Sequence, residues 1–182
     1  MTAGLLAVID MQHVFADRES PWCAPRFAEA AAGVRRLLPA FGDRVAFTRF
    51  LAPGRPEGAW RAYYERWPFA LQSPGARLWS LTDEFSRHGG CAVDAATFGK
   101  RTPELARLVG PGNRLVLAGV STDCCVLSTA PATADAGVGV SVAADACAGA
   151  DDDSHAKALH IMDLYRPLIR VTGVAELLRE AE

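Results

Sequence analysis

The chain has 182 residues, a formal net charge of −2, a sequence pI near 6.1 and 50% hydrophobic residues; this suits one domain with a sizeable core, since domains commonly hold about 100–200 residues. Its 17 arginines are scattered and form no basic stripe, which argues against nucleic acid or an anionic membrane as partner and for a small-molecule substrate. Five cysteines at irregular spacing give no disulfide framework, and neither a signal-peptide pattern nor an apolar run of about 18 residues occurs, so a reduced, cytoplasmic protein is expected.

Leu5-Leu-Ala-Val-Ile9 is a continuous apolar run of strand length ending at Asp10, as in a strand buried on both faces of a parallel sheet. Asp10 is thereby placed at a strand's carboxyl end, beyond which open α/β sheets bind ligands; as a purely structural residue it would cap the following turn. Residues 25 to 41 carry apolar positions at helical spacing, stopped by Gly42-Asp43, and Val45-Ala-Phe-Thr-Arg-Phe50 reads as a second strand. Residues 51 to 80 interrupt the rhythm with Pro53, Pro56 and Pro68, an insertion of the kind used for binding loops or lids. Within it Trp60, Tyr63, Tyr64 and Trp67 fall at i, i+3, i+4, i+7, one face of a short helix; this stripe reads as packing that also serves as one wall of a pocket or a subunit contact.

Cys91 to Ala96 reads as a short strand, and Thr102-Pro-Glu-Leu as the start of a short helix with Pro at its first position, ending at Gly110-Pro-Gly112. Arg114 to Gly119 is the central strand, and the helix after it is expected from about Thr122 to Ala136, with a kink at Pro131. Val138 to Ala144 forms another strand ending at Asp145. Asp151-Asp-Asp-Ser then caps a helix over His155 to Tyr165, followed by a strand over Leu168 to Thr172 and a last amphipathic helix over Val174 to Ala181. The alternating order predicts a single α/β domain over residues 1–182 with a mostly parallel sheet and right-handed crossovers.

The candidate chemistry centres on Gly119-Val-Ser-Thr-Asp-Cys-Cys-Val126, read as strand, tight turn and helix start. A thiol in a helix's first turn faces unpaired N–H groups and the positive end of the macrodipole, both of which favour thiolate. Cys124 and Cys125 are thus both candidate nucleophiles, and equally candidate small buried hydrophobes. His13, His88, His155 and His160 show no ligand spacing, Asp153-Ser154-His155 is explained by capping, and no Cys-x-x-Cys occurs, so no metal is expected. The dinucleotide and phosphate glycine motifs are missing as well. No cofactor is expected.

Leu5-Leu-Ala-Val-Ile-Asp-Met-Gln12 with Phe15, Phe47-Thr-Arg49, Gly119-Val-Ser-Thr-Asp-Cys-Cys-Val126 with Thr129, Ala134 and Gly137, and Asp145-Ala146 together resemble the isochorismatase-like cysteine hydrolases, over nearly the whole chain and in the same order. The resemblance implies a three-layer α/β fold, a mostly parallel, Rossmann-like sheet flanked by helices, and an Asp–Lys–Cys triad whose nucleophile is the cysteine directly before valine, here Cys125, with Asp10 as general base. It also implies a cis peptide at Val120-Ser121 and an oxyanion hole built from the N–H groups of Ser121 and Cys125. The family's lysine column falls on Ala92 or Ala95, and Lys100, the one lysine nearby, is the expected substitute. Metal-dependent nicotinamidases in the family carry Asp-x-His and a further His after the second strand, where this chain reads Phe50-Leu-Ala-Pro-Gly-Arg-Pro-Glu57; nicotinamidase activity is disfavoured accordingly. Candidate pocket residues are Phe15, Trp60, Tyr64 and Trp67. The expected function is metal-independent hydrolysis of a small amide or carbamoyl-type substrate. The alternatives are a vinyl ether hydrolase of the isochorismatase type and a catalytically impaired binding protein that has lost the lysine. Family members often pair, so a homo-oligomer is expected.

Overall fold

The computed structural model describes residues 4–110 and 114–181. In chain order the elements are β1 (Leu5–Ile9), α1 (His13–Ala16), α2 (Phe27–Phe41), β2 (Val45–Phe50), α3 (Trp60–Arg66), α4 (Asp83–Ser86), β3 (Cys91–Ala95), α5 (Pro103–Val109), β4 (Arg114–Val120), α6 (Leu127–Ala134), β5 (Gly139–Ala148), α7 (Asp152–Asp163), β6 (Ile169–Thr172) and α8 (Val174–Ala181), with a π turn at Thr122–Val126 between β4 and α6. The six strands form one sheet in the order β3-β2-β1-β4-β5-β6, and every pairing is parallel.

All five residues of β1 are buried because helices cover both faces of the sheet. The period-2 alternation of a strand deals its side chains to two cores. Leu6 and Val8 join the cluster under α2, α8 and the aromatic segment, whereas Leu5, Ala7 and Ile9 join the one under α5, α6 and α7. Strand order reverses between β1 and β4, and in such sheets the crevice for a ligand opens beyond the carboxyl ends of those two strands. Gly119, near the end of β4, has φ +113°, and a Cβ there would stand 2.1 Å from the Ile9 carbonyl oxygen. Only glycine lets β1 and β4 stay this close while the chain turns toward the site.

Several boundaries differ from the sequence pattern for identifiable reasons. β5 does not stop before Asp145 but runs on to Ala148 through a register shift against β4. Asp145 leaves the ladder at this irregularity, and its carboxylate accepts a hydrogen bond from the Val174 N–H at 2.7 Å, capping α8. The helix expected from Thr122 is split into the π turn and α6; the Val126 N–H reaches back to the Ser121 carbonyl at 3.1 Å. α7 begins at Asp152, three residues before His155, because Asp151 caps it by accepting from the Ser154 N–H at 2.7 Å. α5 starts at Pro103 behind a Thr102 cap and ends at Gly110; Pro111 and Gly112 of the expected stop lie outside the described residues.

Candidate active site

Asp10, Lys100 and Cys125 come from three separate parts of the chain and meet in the crevice between β1 and β4. Asp10 follows β1 with φ 48°, a left-handed conformation that is uncommon away from glycine and tends to cluster at functional sites. Its backbone N–H donates to Thr48 Oγ1 at 3.1 Å, and the Thr48 hydroxyl donates to Asp10 Oδ1 at 2.6 Å. One threonine on β2 therefore fixes both the backbone and the side chain of the carboxylate. Gln12 holds the next turn: its amide donates to the carbonyls of Phe50 at 3.0 Å and Trp79 at 2.7 Å and accepts from the Phe50 N–H at 2.8 Å.

Lys100 is fully buried, and its Nζ stands 2.9 Å from Asp10 Oδ2. The same ammonium donates to the Thr97 carbonyl at 3.0 Å and lies 4.8 Å from the centre of the Phe50 ring, a cation–π arrangement. Isolated, a buried ammonium or carboxylate would be costly; here the two are paired, and each keeps a further hydrogen bond, to Thr97 and from Thr48. Ala92 and Ala95, the alternative lysine positions by register, lie within β3. The chain leaves β3 and turns back through Phe98-Gly99, and this brings in a lysine five residues further on than Ala95. Thr129 joins this residue to the thiol's backbone: its hydroxyl accepts from the Lys100 N–H at 2.8 Å and donates to the Cys125 carbonyl at 2.6 Å.

Cys125 sits in the π turn, 3% exposed, whereas Cys124 is exposed. Burial pushes the Cys125 thiol well above its ordinary value; the Asp10 charge and a hydrogen bond to Asp10 add to this, and the Lys100 ammonium opposes it. In the resting site the proton therefore stays on sulfur, and the first-turn position that the sequence reads as favouring thiolate is outweighed by burial beside a carboxylate. Desolvation also holds Cys124 up, at about 11. The Val120–Ser121 peptide is cis, and the carbonyl of Ser121 accepts from the N–H groups of Cys124 and Val126.

Above these residues opens a cavity of about 340 Å³ lined by Phe15, Pro21, Trp22, Cys23, Phe50, Tyr63, Trp67, Phe98, Ser121, Asp123, Cys124, Cys125 and Ala150. Of the residues expected to line it, Phe15 and Trp67 do. Trp60 and Tyr64 do not: Tyr64 is 1% exposed in the core, and Trp60 packs on Tyr63, Tyr64 and Phe98. At helical spacing the stripe splits, Tyr63 and Trp67 turning to the cavity and Tyr64 to the core. Sequence reasoning missed Trp22, whose ring touches Phe15, Phe50, Tyr63, Trp67, Phe69 and Trp79 at centroid distances of 5.1–6.3 Å. It belongs to an irregular connection with no periodicity to mark it. In the sequence Thr48 stands only within the Phe47-Thr-Arg49 motif, and its role follows from the two hydrogen bonds it makes to Asp10 just past the end of β1.

A parallel sheet with helices on both faces, and with Asp10, Lys100 and Cys125 gathered at its topological switch point, defines a doubly wound α/β protein. The isochorismatase domain model matches residues 4–175, and the chain belongs to that family. Similar solved structures include a cysteine hydrolase from Pseudomonas syringae pv. phaseolicola 1448A, with a TM-score of 0.84 and 18% identity over 97% of this chain and 91% of that one. Another is an isochorismatase-like hydrolase from Alkaliphilus metalliredigens, with a TM-score of 0.79 and 17% identity over 99% of each chain. A nicotinamidase/pyrazinamidase from Bacillus subtilis aligns with a TM-score of 0.73 and 20% identity over 93% of this chain and 99% of that one. At these identities the likeness establishes the shared fold. No curated protein sequence matches the chain.

Proposed function

We propose that the protein is a metal-independent cysteine hydrolase that cleaves a small amide or carbamoyl-type substrate, with Cys125 as nucleophile, Asp10 as general base and acid, and Lys100 as the fixed positive charge. The observation that carries this reading is the 2.9 Å contact between the fully buried Lys100 and Asp10 beside the buried Cys125 thiol. A structural cysteine needs no such pair, and a protein that had lost its catalytic cation would leave Asp10 without one.

The chemistry follows from the charges. In the resting site Asp10 and Lys100 form an ion pair and the thiol keeps its proton. As sulfur attacks the substrate carbonyl carbon, its proton passes to Asp10, leaving a protonated carboxyl, an ammonium and the new carbon–sulfur bond. The total charge of the three side chains and the reacting group is unchanged, and Lys100 faces sulfur while negative charge crosses it. The carbonyl oxygen gains charge within reach of the Ser121 and Cys125 N–H groups, the proposed oxyanion donors. Collapse breaks the carbon–nitrogen bond, and Asp10 gives its proton to the departing amine. Water, deprotonated in turn by Asp10, then cleaves the thioester, releasing the acid and restoring the thiol. Among the described residues no group of three or more His, Cys, Asp or Glu is placed to hold a metal ion, and the segment after Arg49 lacks the histidines of the family's metal-dependent nicotinamidases.

The test is a panel of small amides with mass spectrometry of the quenched enzyme. An acyl adduct on Cys125, turnover that survives chelation, and its loss in Cys125→Ala but not Cys124→Ala are expected. Equal loss in both folded variants, or a stoichiometric metal whose removal stops turnover, overturns the assignment.

A further inference from the structure

The charge inventory of the cavity restricts what it can hold. Its floor contains one cation, Lys100, already occupied by Asp10 and by the Thr97 carbonyl. None of the lining residues is an arginine, a lysine or a histidine, and the one ionisable carboxylate among them is Asp123. Asp123 is held in place, with Oδ1 accepting from the Ala150 N–H at 3.0 Å. The half-buried Tyr63 phenol is pushed far up, chiefly by burial and then by neighbouring Cys124, so it remains a neutral hydroxyl at any ordinary pH. Arg66 lies with its guanidinium carbon 5.3 Å from the centre of the Trp67 ring but is exposed and not part of the lining.

The rest of the wall is aromatic. Trp22 stands at its centre, partly buried, stacked at 13° to Phe15 and edge-on to Phe50 and Trp67. Six aromatic neighbours fix the orientation of this ring. Aromatic faces carry negative quadrupole charge: they attract cations, accept flat apolar groups and repel anions. An anionic substituent here would meet those faces and Asp123, with no free cation to repay its desolvation.

We infer that the substrate is a small amide with a flat, apolar body that carries no negative charge, and that the Trp22-centred wall together with Asp123 enforces this selection. The inference rests on the proposed reading for the amide group and for which end of the molecule faces Cys125; the flat, uncharged body follows from the wall. It disfavours carboxylate-bearing substrates, including the dicarboxylate isochorismate.

Binding can be tested without turnover. The Cys125→Ala protein is titrated with benzamide, 4-(aminomethyl)benzamide and 4-carboxybenzamide, and with their 3-substituted isomers, by tryptophan fluorescence and calorimetry. The neutral and cationic amides should bind, and the carboxylates should bind at least about tenfold more weakly, a penalty expected to shrink as salt rises. Asp123→Asn keeps the oxygen that accepts from Ala150 and should weaken the cation selectively while narrowing the gap to the anion. Trp22→Leu should weaken all three, and the Asp123→Asn result stands independently should Trp22→Leu fail to fold. The inference is overturned if the anion binds as well as the neutral amide, if its binding depends on Arg66 in an Arg66→Gln variant, or if none of the three binds. Absence of hydrolysis in the wild type with selective binding in Cys125→Ala would sink the hydrolase reading alone.

Discussion

The floor and the wall of the crevice are built by opposite means. The floor is carried by the carboxyl ends of strands and the turns that leave them: Asp10 beyond β1, Thr48 on β2, Lys100 beyond β3, Cys125 beyond β4. These positions are over-determined, since Thr48 ties Asp10 to β2 and Thr129 ties Lys100 to the π turn. The wall comes largely from the connections after α1 and after β2, with Phe15, Phe50 and Phe98 joining it, and its side chains are held by ring-on-ring packing. Backbone ladders fix atoms to tenths of an ångström, as bond-making chemistry requires. Packed rings specify a shape and tolerate exchange, as a specificity surface requires.

If the comparison is right, substitutions in the two regions differ in kind. Cys125→Ala should lower kcat by at least about a thousandfold without a large change in ligand binding. Trp67→Ala should leave kcat within a few-fold and raise KM by about tenfold, some 1.4 kcal/mol of binding. Steady-state kinetics on one neutral aryl amide measures both. A collapse of kcat in Trp67→Ala would mean that the wall also positions reacting atoms.

The floor should also show its electrostatic interdependence. Lys100→Ala leaves Asp10 buried and unpaired, which should cost about 3–5 kcal/mol of stability as well as activity. Lys100→Met combined with Asp10→Asn removes both charges at similar volume and should regain much of the stability but none of the activity. Denaturant melts of wild type, Lys100→Met, Asp10→Asn and the double variant close the cycle. Near-additive losses would mean that the pair is not coupled and Lys100 is a packing residue.

How much of this could be read beforehand follows the same division. β1, β2 and β4, the parallel sheet and the place of Asp10 at a strand end are legible because a doubly buried strand is a continuous apolar run; position alone leaves Cys124 and Cys125 level, and only the family resemblance singles out Cys125. Lys100 is half legible: the register of β3 points to Ala92 or Ala95, and only the turn through Phe98-Gly99 shows how a later lysine reaches Asp10. Trp22 is illegible, because its importance lies in six contacts with residues distant in sequence and not in any local pattern. The extension of β5 past Asp145 is hidden for a related reason, since an acidic residue in an apolar run looks like its end unless its partner, the start of α8, is known.

Thr48→Val is the next smaller test. It keeps the shape but removes the hydroxyl that donates to Asp10 Oδ1 and accepts from its N–H. A hydrogen bond to a charged group contributes about 1.5–3 kcal/mol, and the loss should appear in melting and, because Asp10 is less firmly aimed, in kcat. Unchanged kcat with lowered stability would restrict Thr48 to the fold.

The smallest expected effect lies at alkaline pH and separates the buried thiols, Cys125 and Cys147, from the exposed Cys91 and Cys124. Cys147, fully buried, is pushed from an ordinary 9.0 to about 12, chiefly by burial, with its hydrogen bond to Gly119 acting the other way and Asp145 adding to the rise. Cys125 is also raised, by burial and Asp10. Below pH 9 folded and unfolded chains both carry neutral thiols, so these groups leave stability independent of pH. From there upward the unfolded chain loses protons that the folded chain keeps, so the unfolded state binds fewer protons and stability falls with pH until the folded thiols also ionise. Between about pH 8 and pH 10 the loss from Cys147 should be roughly 1.4 kcal/mol. Cys147→Ala should flatten the slope over that window by about this amount, whatever it costs at neutral pH, and Cys125→Ala should flatten it as well. Alkylation should follow exposure: iodoacetamide should label Cys91 and Cys23 before Cys125 in the free protein, and Cys125 only well above pH 9. Rapid labelling of Cys125 at neutral pH would mean that Lys100 outweighs burial and Asp10, and that the thiolate already exists before substrate arrives.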